Sequence, residues 1–395
     1  MKLIKRQSSE QRPPNGDSGN EHPLQASGTG CSVDRRTFLR NSGLAVGGAA
    51  LAGTFPLNMI RKAAADSPSA PVATTEATQV RSVCTHCSVG CGIVAEVKNG
   101  VWIGQEPAFD HPVNLGAHCA KGASVREHGH GERRLKYPLK RVEGKWKRIP
   151  WEQAIEEIGD KLLGLREKSS PDSVYWLGSS KHNNEQAYLF RKFAALWGSN
   201  NIDHQARICH STTVAGVANT WGYGAMTNSY NDIHNSKAIL IIGGNPAEAH
   251  PVSMQHIFRA KERGAPLIVI DPRYTRTAAH ADQHIRLRPG TDVPLTWGML
   301  WHIFENDWED KEFIRQRVYG IDEVRTEVAK WSPAEVERVT GVPEAELYRA
   351  TKIMAENRPG TFIWCMGGTQ HTIGNNNTRA YCIFQLALGN MGVSG

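Results

Sequence analysis

The chain has 395 residues, 40% of them hydrophobic and 22% charged, a size and composition ordinary for a globular protein of two or three domains. Its formal net charge is +7, but the 46 basic residues are interleaved with 39 acidic ones, which argues against nucleic-acid binding and predicts a mildly basic surface with anion-binding sites. Eight cysteines in so long a chain exclude a small disulfide scaffold, so their clustering is more informative than their number.

The N-terminal region has the composition of an export signal. Residues 1–33 are rich in Gly, Pro, Ser, Asn and Gln, which predicts a disordered extension. The sequence DRRTFLR is followed by a weakly apolar stretch of roughly 14 residues, too short to span a bilayer, and then by a small-residue cleavage site after Ala65. We therefore interpret residues 34–65 as a signal peptide and residues 66–79 as a linker, with a plain amphipathic helix as the alternative.

The pair Arg35 and Arg36, which opens this signal, resembles the twin-arginine export signal. That route carries proteins that are already folded, which suits a protein whose cofactor is inserted in the cytoplasm. The signal predicts a periplasmic location and no direct membrane span.

Four cysteines form the most specific motif of the chain. Cys84, Cys87 and Cys91 are spaced C-x2-C-x3-C, and Cys119 follows after 27 intervening residues. Three thiolates from one tight loop suit one face of a cubane iron–sulfur cluster, whose fourth iron is reached by a distant cysteine. A structural zinc site usually uses two separated CxxC pairs, and zinc or buried free thiols are the alternatives. The motif predicts a 4Fe-4S domain over residues 80–145.

The apolar residues predict a small β-rich domain followed by a doubly wound, mostly parallel α/β fold. The alternation in GIVAEVKNGVWIG indicates a hairpin with its turn at Asn99–Gly100. From about residue 172, apolar runs such as SVYWLG, KAILIIGG, PLIVID and TFIWCMGG alternate with amphipathic segments, which indicates an α/β domain over residues 146–395. Ligands bind beyond the carboxyl ends of the strands in such sheets. The corresponding loops begin at Gly243, Asp271, Pro289 and Gly367.

Further short motifs follow the cysteine loop in order. They are CAKG (119–122), ARICHSTTVAG (206–216), GYGAMTN (222–228), GGNPAEAHP (243–251), IDPRYTRTAAHAD (270–282), RPGTDVPL (288–295), MGGTQHTIG (366–374) and the terminal LALGNMGVSG. From about residue 80 to its end, the chain thereby resembles the molybdopterin bis-guanine-dinucleotide oxidoreductases. Among these it is most similar to the catalytic subunit of periplasmic respiratory formate dehydrogenases.

The resemblance implies roles for individual residues. Lys121 resembles the lysine that bridges cluster and pterin, and it is expected to take part in catalysis by passing electrons. Cys209 is expected to ligate molybdenum or tungsten, and His210 to orient formate or receive its proton. Two molybdopterin guanine dinucleotides are expected to contact Asn245, Asp271, Arg273, Gly290, Asp292, Met366, Gly368 and Gln370.

The chemistry of these side chains agrees with the implied roles. A thiolate at Cys209, which we expect between two helices, is a soft ligand for a heavy transition metal. The guanidinium of Arg273 can form a fork to pyrophosphate oxygens. For the Asn and Asp residues, turn formation and helix capping are the alternative. Cys365 and Cys382 are interpreted as core thiols.

The implied reaction is the oxidation of formate to carbon dioxide, two electrons and a proton. Electrons would leave by the pterin and the cluster to an iron–sulfur beta subunit and a membrane cytochrome b-type subunit. An exported nitrate or polysulfide reductase is the first alternative. A non-catalytic electron-transfer or assembly protein, which keeps the cluster without the metal centre, is the second.

Two features depart from the family pattern. Cys209 replaces a selenocysteine, and the chain ends before the segment in which the family has the arginine that grips formate. Three interpretations of the length are open: a fragment, a truncated reading, or a split gene product that needs a separate C-terminal half of the catalytic subunit.

Overall fold

The computed structural model describes residues 77–395, so the predicted extension, the export signal and most of the linker lie outside the described residues. The strands of the described part are β1 (Thr78–Val83), β2 (Gly92–Lys98), β3 (Val101–Pro107), β4 (Leu139–Val142), β5 (Lys145–Arg148), β6 (Trp176–Gly178), β7 (Ile202–His204), β8 (Ala238–Ile242), β9 (Leu267–Ile270), β10 (Gln283–Ile285) and β11 (Gly360–Trp364).

The helices of the same residues lie between or after these strands, and five of them follow one another between β10 and β11. They are α1 (Ala120–Ala123), α2 (Arg126–His130), α3 (Trp151–Lys168), α4 (Asn184–Trp197), α5 (Ala206–Trp221), α6 (Pro246–Ala249), α7 (Met254–Glu262), α8 (Asp292–Glu305), α9 (Lys311–Arg317), α10 (Ile321–Val328), α11 (Pro333–Thr340), α12 (Glu344–Glu356), α13 (Met366–Thr369) and α14 (Gly374–Ala387). None of the described helices is both long and apolar enough to cross a lipid bilayer.

The first sheet is antiparallel, in the order β1-β2-β3, and contains the predicted hairpin. Its turn is at Asn99 and Gly100, whose φ angles are 52° and 75°. Two consecutive positive φ angles match the right-handed twist of the flanking strands, and Asn-Gly adopts them at low cost. The predicted hairpin is therefore confirmed, and buried Ile93 of β2 packs with Cys84 and Cys91 of the cysteine loop.

A four-stranded parallel sheet, in the order β10-β9-β8-β11, forms the centre of the α/β part. Every residue of β8, AILII, is buried, because a parallel sheet is covered by helices on both faces. Leu240 and Ile242 face a cluster that includes residues of α8, α12 and α14. Ile239 and Ile241 face the opposite cluster, to which α7 contributes. The prediction of a doubly wound, mostly parallel fold is therefore confirmed.

The strand order creates a topological switch point. From β8 the chain proceeds to β9 and then β10 on one side, whereas β11 returns to pair with the other side of β8. The loops that leave β8 and β11 therefore diverge at the carboxyl edge of the sheet, and ligands of open α/β sheets bind in the crevice that such a divergence opens.

A second, two-stranded parallel sheet pairs β6 with β7. It is flanked by α4 and followed directly by α5. The long helix α3 has only one buried residue, Ala154, along its length. This part of the fold therefore exposes more apolar surface than the four-stranded sheet does.

The structure corrects two expectations about cysteines. Cys209 lies inside the first turn of α5 and not between two helices, because the side chains of Thr212 and Thr213 bond to another element and stabilise the helix there. Cys365 is half-buried, because β11 ends at Trp364 and the chain turns out at the switch point. Cys382 is fully buried in α14, as expected.

Two buried histidines predict how stability depends on pH. Burial lowers the pKa of His256 and of His302 below the ordinary value of 6.5. Above that pH both states of each group are neutral, but below it the unfolded chain binds protons that the folded chain excludes. We expect the free energy of unfolding in urea to fall as pH decreases below about 6.5.

The variant His302→Gln should reduce this pH dependence, because it removes one of the histidines whose pKa is lowered by burial. The exposed His280 supplies the control, and His280→Gln should leave the slope unchanged. A free energy of unfolding that rises between about pH 7 and about pH 5.5 would contradict the prediction.

Candidate active site

Two glycines are in direct contact where the loops that leave β8 and β11 begin. The backbone N–H of Gly367, after β11, donates a 2.9 Å hydrogen bond to the carbonyl of Gly243, after β8. A Cβ atom at Gly367 would lie 2.5 Å from Cα of Gly243, and one at Gly243 would lie 2.7 Å from the nitrogen of Gly368. Gly243 also has a φ of 58°, in the left-handed region. Only glycine permits this approach of the two loops.

Behind these glycines, a buried hydrogen bond joins α14 to α8. The hydroxyl of Tyr381 donates to Oδ1 of Asp292 at 2.7 Å, and the Asp292 side chain is buried. Burial raises the pKa of Tyr381 well above its usual range. A Cβ at Gly368 would lie 2.7 Å from the Tyr381 hydroxyl. Asp292, predicted to contact guanine, therefore anchors the base of the β11 loop, and Tyr381 was not anticipated from the sequence.

Cys209 lies beside the loop that leaves β11. Its Sγ is 3.7 Å from Sδ of Met366 and 3.8 Å from Nε2 of Gln370. Cys209 is far in sequence from Met366 and Gln370, and the fold brings these three predicted site residues together. Cys209 also lies in the first turn of α5, so its position is set by that helix.

Two threonines hold the first turns of α5 against this loop. Thr212 Oγ1 donates to the carbonyl of Thr369 at 2.5 Å, and Thr213 Oγ1 lies 2.6 Å from Thr369 Oγ1. None of the three threonines was anticipated from the sequence, although the hydroxyls of STT, two residues after Cys209, were a visible signal. Half-buried His210 follows Cys209 in the helix and lies about 100° around its axis.

The loops after β8 and β9 are joined by side chains. Oδ1 of Asn245 accepts hydrogen bonds from the hydroxyl and backbone N–H of Thr277, at 2.8 and 3.3 Å. Oδ1 of Asp271 accepts from the backbone N–H of Arg273 at 2.8 Å, which is the turn-forming role left open by the sequence. Thr277 was not anticipated.

The guanidinium of Arg273 extends from this edge. It is 70% exposed and 4.0 Å from the carboxylate of Glu248, a distance at which the ion pair contributes little. Arg276 lies 3.5 Å from the same carboxylate. Gly290 precedes α8 with a φ of 85° and lies on a separate loop. The edge of the sheet therefore presents basic groups that can bind an anion.

The four cysteines of the first motif lie in one apolar cluster. Cys84 and Cys91 are buried, and Cys87 and Cys119 pack against them with Val89, Ile93 and Val125. The backbone N–H of Cys84 donates to the carbonyl of Cys91 at 2.9 Å, which closes the loop. Gly90, with a φ of 65°, provides the turn inside it.

The chemistry of this thiol set fits an iron–sulfur cluster. Burial and the neighbouring thiols Cys84, Cys87 and Cys119 raise the pKa of Cys91 to about 12. Such thiols stay protonated unless a bound metal compensates the charge of the thiolates. The four thiols, three from one tight loop and one from Cys119, lie in one cluster and have the composition of an iron–sulfur ligand set.

Lys121 connects the cysteine cluster to the switch point. It lies in α1, two residues after Cys119, and its Nζ donates to the carbonyls of Glu248 and Ala249 at 3.2 and 3.1 Å. Those carbonyls end α6, the helix that begins directly after the GGN sequence of the β8 loop. Lys121 therefore connects the cysteine domain to the segment after β8, and its role between cluster and pterin stays a prediction.

Fold and site together define a protein with an iron–sulfur domain attached to a doubly wound α/β domain, whose ligand crevice has a thiol at one side. The family models agree: residues 77–131 match the molybdopterin oxidoreductase Fe4S4 domain and residues 134–395 match molybdopterin oxidoreductase. The chain belongs to the molybdopterin oxidoreductase family.

Curated relatives refine this comparison. The chain is 38% identical to the alpha subunit of F420-dependent formate dehydrogenase 1 of Methanococcus maripaludis, over 80% of this chain and 46% of the relative. It is 33% identical to the major subunit of the nitrate-inducible formate dehydrogenase of Escherichia coli K12, over 81% of this chain and 39% of the relative. It therefore spans less than half the length of these relatives.

A solved structure is also similar. Acetylene hydratase from Pelobacter acetylenicus superimposes with a TM-score of 0.69 and 29% sequence identity, over 80% of this chain and 44% of that chain. The structural match supports the arrangement of an iron–sulfur domain and a mixed α/β domain.

The glycine contact at the switch point makes a direct prediction. Gly367→Ala should lower the free energy of unfolding by about 1–3 kcal/mol, because its Cβ forces the two loops apart. Gly159→Ala, in α3, is the matched control: nothing lies within 4 Å of its Cβ, and alanine favours the helix. Urea unfolding measures both, and a Gly367→Ala chain as stable as the wild type would contradict the packing argument.

Proposed function

We propose that the protein is the N-terminal part of a formate dehydrogenase catalytic subunit, which oxidises formate to carbon dioxide, two electrons and a proton. The observation that supports this most is the convergence of Cys209, Met366 and Gln370 at the switch point. The relatives named as formate dehydrogenases support the choice of substrate.

The chain's own residues have separate roles in this proposal. Cys209 supplies a thiolate ligand to molybdenum or tungsten from the first turn of α5. Half-buried His210 orients formate or receives its proton. When bound, the metal and its two molybdopterin guanine dinucleotides supply the two-electron chemistry. Gln370 and Met366 contact the pterin beside Cys209.

The remaining loops hold the dinucleotide arms. Arg273, exposed at the edge of the sheet, forms a fork to pyrophosphate oxygens. Asn245 and Asp271 lie in loops at the carboxyl edge of the sheet, and Gly290 and Asp292 lie at the start of α8. Gly368, which has no side chain, lets the β11 loop pack against Tyr381. In this proposal Asp292 and Asn245 do not touch the dinucleotides. Their hydrogen bonds to Tyr381 and Thr277 hold the loops that do.

Electron transfer uses the cysteine domain, which we place at residues 80–145, with the α/β domain at residues 146–395. Cys84, Cys87, Cys91 and Cys119 hold a 4Fe-4S cluster, and Lys121 lies on the path from the pterin. A separate iron–sulfur beta subunit and a membrane cytochrome b-type subunit accept the electrons. The twin-arginine signal takes the folded protein to the periplasm.

We also propose that a polypeptide segment covers the apolar stripe of α3 and α4. In α3 the exposed residues Trp151, Ile155 and Ile158 recur at helical spacing, and in α4 Leu189 and Leu196 do the same. A monomer rarely leaves so many large apolar side chains in water.

The proposed occupant is the part of the catalytic subunit that this chain does not span, supplied as a continuation or as a separate C-terminal half. The relatives are more than twice as long as the matched part. The β6-β7 sheet has only two strands, and parallel strands are normally covered on both faces. A groove of about 550 Å³ continues the stripe and is lined by Leu135, Tyr137, Pro138, Leu139, Trp146 and Trp151.

The metal ligand can be tested in the subunit assembled with this second part. Cys209→Ala should lose molybdenum or tungsten and lower formate-dependent dye reduction by more than the roughly 10–100-fold typical of outer-shell changes. Cys382→Ala, a buried cysteine of α14, is the control and should retain the metal. Elemental analysis and the dye assay distinguish the outcomes.

Unchanged metal content and turnover in Cys209→Ala would contradict the ligand assignment. Nitrate-dependent dye oxidation without formate-dependent reduction would favour the exported reductase. Iron and sulfide without pterin, molybdenum or tungsten would favour the non-catalytic electron-transfer protein.

The apolar stripe makes a further prediction. Ile158→Glu should reduce co-purification of the chain with a co-produced C-terminal half and weaken binding of an apolar dye to the chain alone, because it places a charge in the stripe. Asp160→Asn, on the opposite side of α3, should change neither. Equal co-purification of the two variants would contradict the proposed surface.

A further inference from the structure

A second lysine contacts the cysteine loop from a different part of the fold. Nζ of Lys181 donates to the backbone carbonyls of Thr85 and His86, at 2.6 and 3.2 Å. These two carbonyls lie between Cys84 and Cys87, the first two cysteines of the C-x2-C pair. The Lys181 ammonium therefore binds the carbonyls of both residues that separate Cys84 from Cys87.

The position of Lys181 is set by its own loop, between β6 and α4. Its backbone N–H donates to Oγ of Ser179 at 3.1 Å. Two residues later, Asn183 begins α4 with a capping box: its side chain accepts from the N–H of Gln186 at 2.7 Å, while its own N–H donates to the Gln186 side chain at 3.1 Å. Because both ends of this short segment are fixed, the lysine reaches the cysteine loop from a defined point.

Lys181 and Lys121 do different things. Lys121 directs its Nζ to the carbonyls of Glu248 and Ala249, near the switch point. Lys181 instead binds the cysteine loop itself, and it belongs to the two-stranded part of the α/β fold. The two contacts therefore lie on separate elements and are independent of each other.

A positive charge at this place affects a bound cluster in two ways. Two hydrogen bonds from an ammonium hold the loop that carries Cys84 and Cys87, and bonds to a charged donor are stronger than neutral ones. Four thiolates make the cluster site anionic, and each added electron makes it more so. A nearby cation therefore favours the reduced state, although solvent at the exposed lysine screens part of the effect.

We propose that Lys181 is a positioning residue for the iron–sulfur cluster, which holds the Cys84–Cys87 segment in its ligating conformation and raises the reduction potential of the cluster. The inference rests on the proposed assignment of the four cysteines to a 4Fe-4S cluster. It concerns electron transfer out of the subunit and is independent of the substrate oxidised at Cys209.

The test uses the full chain with its cluster assembled anaerobically, in wild type, Lys181→Met, Lys181→Gln and Lys181→Arg. Iron and sulfide content and a redox titration followed by electron paramagnetic resonance are the readouts. Lys181→Met should lower the equilibrium constant for one-electron reduction about tenfold, equivalent to about 59 mV, and should lower iron content. Lys181→Arg keeps the charge and two donors and should retain the wild-type potential.

Lys192→Met is the matched control. Lys192 is an exposed lysine of α4, and its Nζ lies over the ring of Tyr188 and not on the cysteine loop. It removes the same charge from the same region and should leave iron content and potential unchanged. Raising the ionic strength should shrink the difference between Lys181→Met and wild type, because salt screens an exposed charge.

Amide exchange of residues 84–91 in the cluster-free chain provides a readout that needs no metal. It should be faster in Lys181→Met than in Lys181→Arg, because the loop loses two hydrogen bonds. Lys181→Gln keeps a hydrogen-bond donor but removes the charge. If the Met and Gln variants both fail to assemble a cluster and the Arg variant assembles one, the charge is required, which also supports the proposal.

Equal potentials and equal iron content in wild type and Lys181→Met would overturn the proposal. So would a Lys181→Met chain that binds less iron but whose retained cluster has the wild-type potential, since the role would then be structural only. A wild-type chain that binds no iron and sulfide would instead overturn the cluster assignment, and the exchange experiment would still decide the contact of Lys181 with the loop.

Discussion

The close contact of Gly243 with Gly367 is the constraint on which the arrangement of the site depends. Strands β8 and β11 are neighbours in the sheet but distant in sequence, so their loops meet only because neither glycine has a side chain. This contact sets the start of α13, and α13 in turn positions Met366 and Thr369 against the first turns of α5. The position of Cys209 relative to Met366 therefore depends on the contact between Gly243 and Gly367.

The cysteine cluster is tied to the α/β part by polar contacts from several elements. Lys121 reaches the end of α6, Lys181 reaches back to the cysteine loop, and Tyr230 places its hydroxyl 3.1 Å from that of Ser88. Contacts from three elements fix the distance and orientation of the two sites more firmly than one linker could. Electron transfer between two centres requires such a fixed separation, so the same contacts that stabilise the fold serve the proposed function.

The sequence was most informative where periodicity and local chemistry coincide. The Asn99–Gly100 turn, the buried run of β8 and the loops at the carboxyl edge followed from patterns that act over a few residues. Thr212, Thr277 and Tyr381 were missed, because each is an ordinary helix or loop residue until its partner is known. Cys209 was expected before the start of α5, whereas the helix begins at Ala206. The reason is the same, because remote hydroxyl contacts stabilise a turn that local propensity disfavours.

The sequence by itself determined the cysteine motif, the apolar runs that form β6, β8, β9 and β11, and the edge of the sheet at which ligands bind, since spacing and hydrophobic period are local properties. Tertiary structure alone decided that Cys209 contacts Gln370, that buried Asp292 accepts a hydrogen bond from Tyr381, and that Lys181 binds the carbonyls of the cysteine loop. These pairs join residues brought together by strand order and helix packing, and side-chain contacts across such distances depend on the whole fold and not on any segment of it.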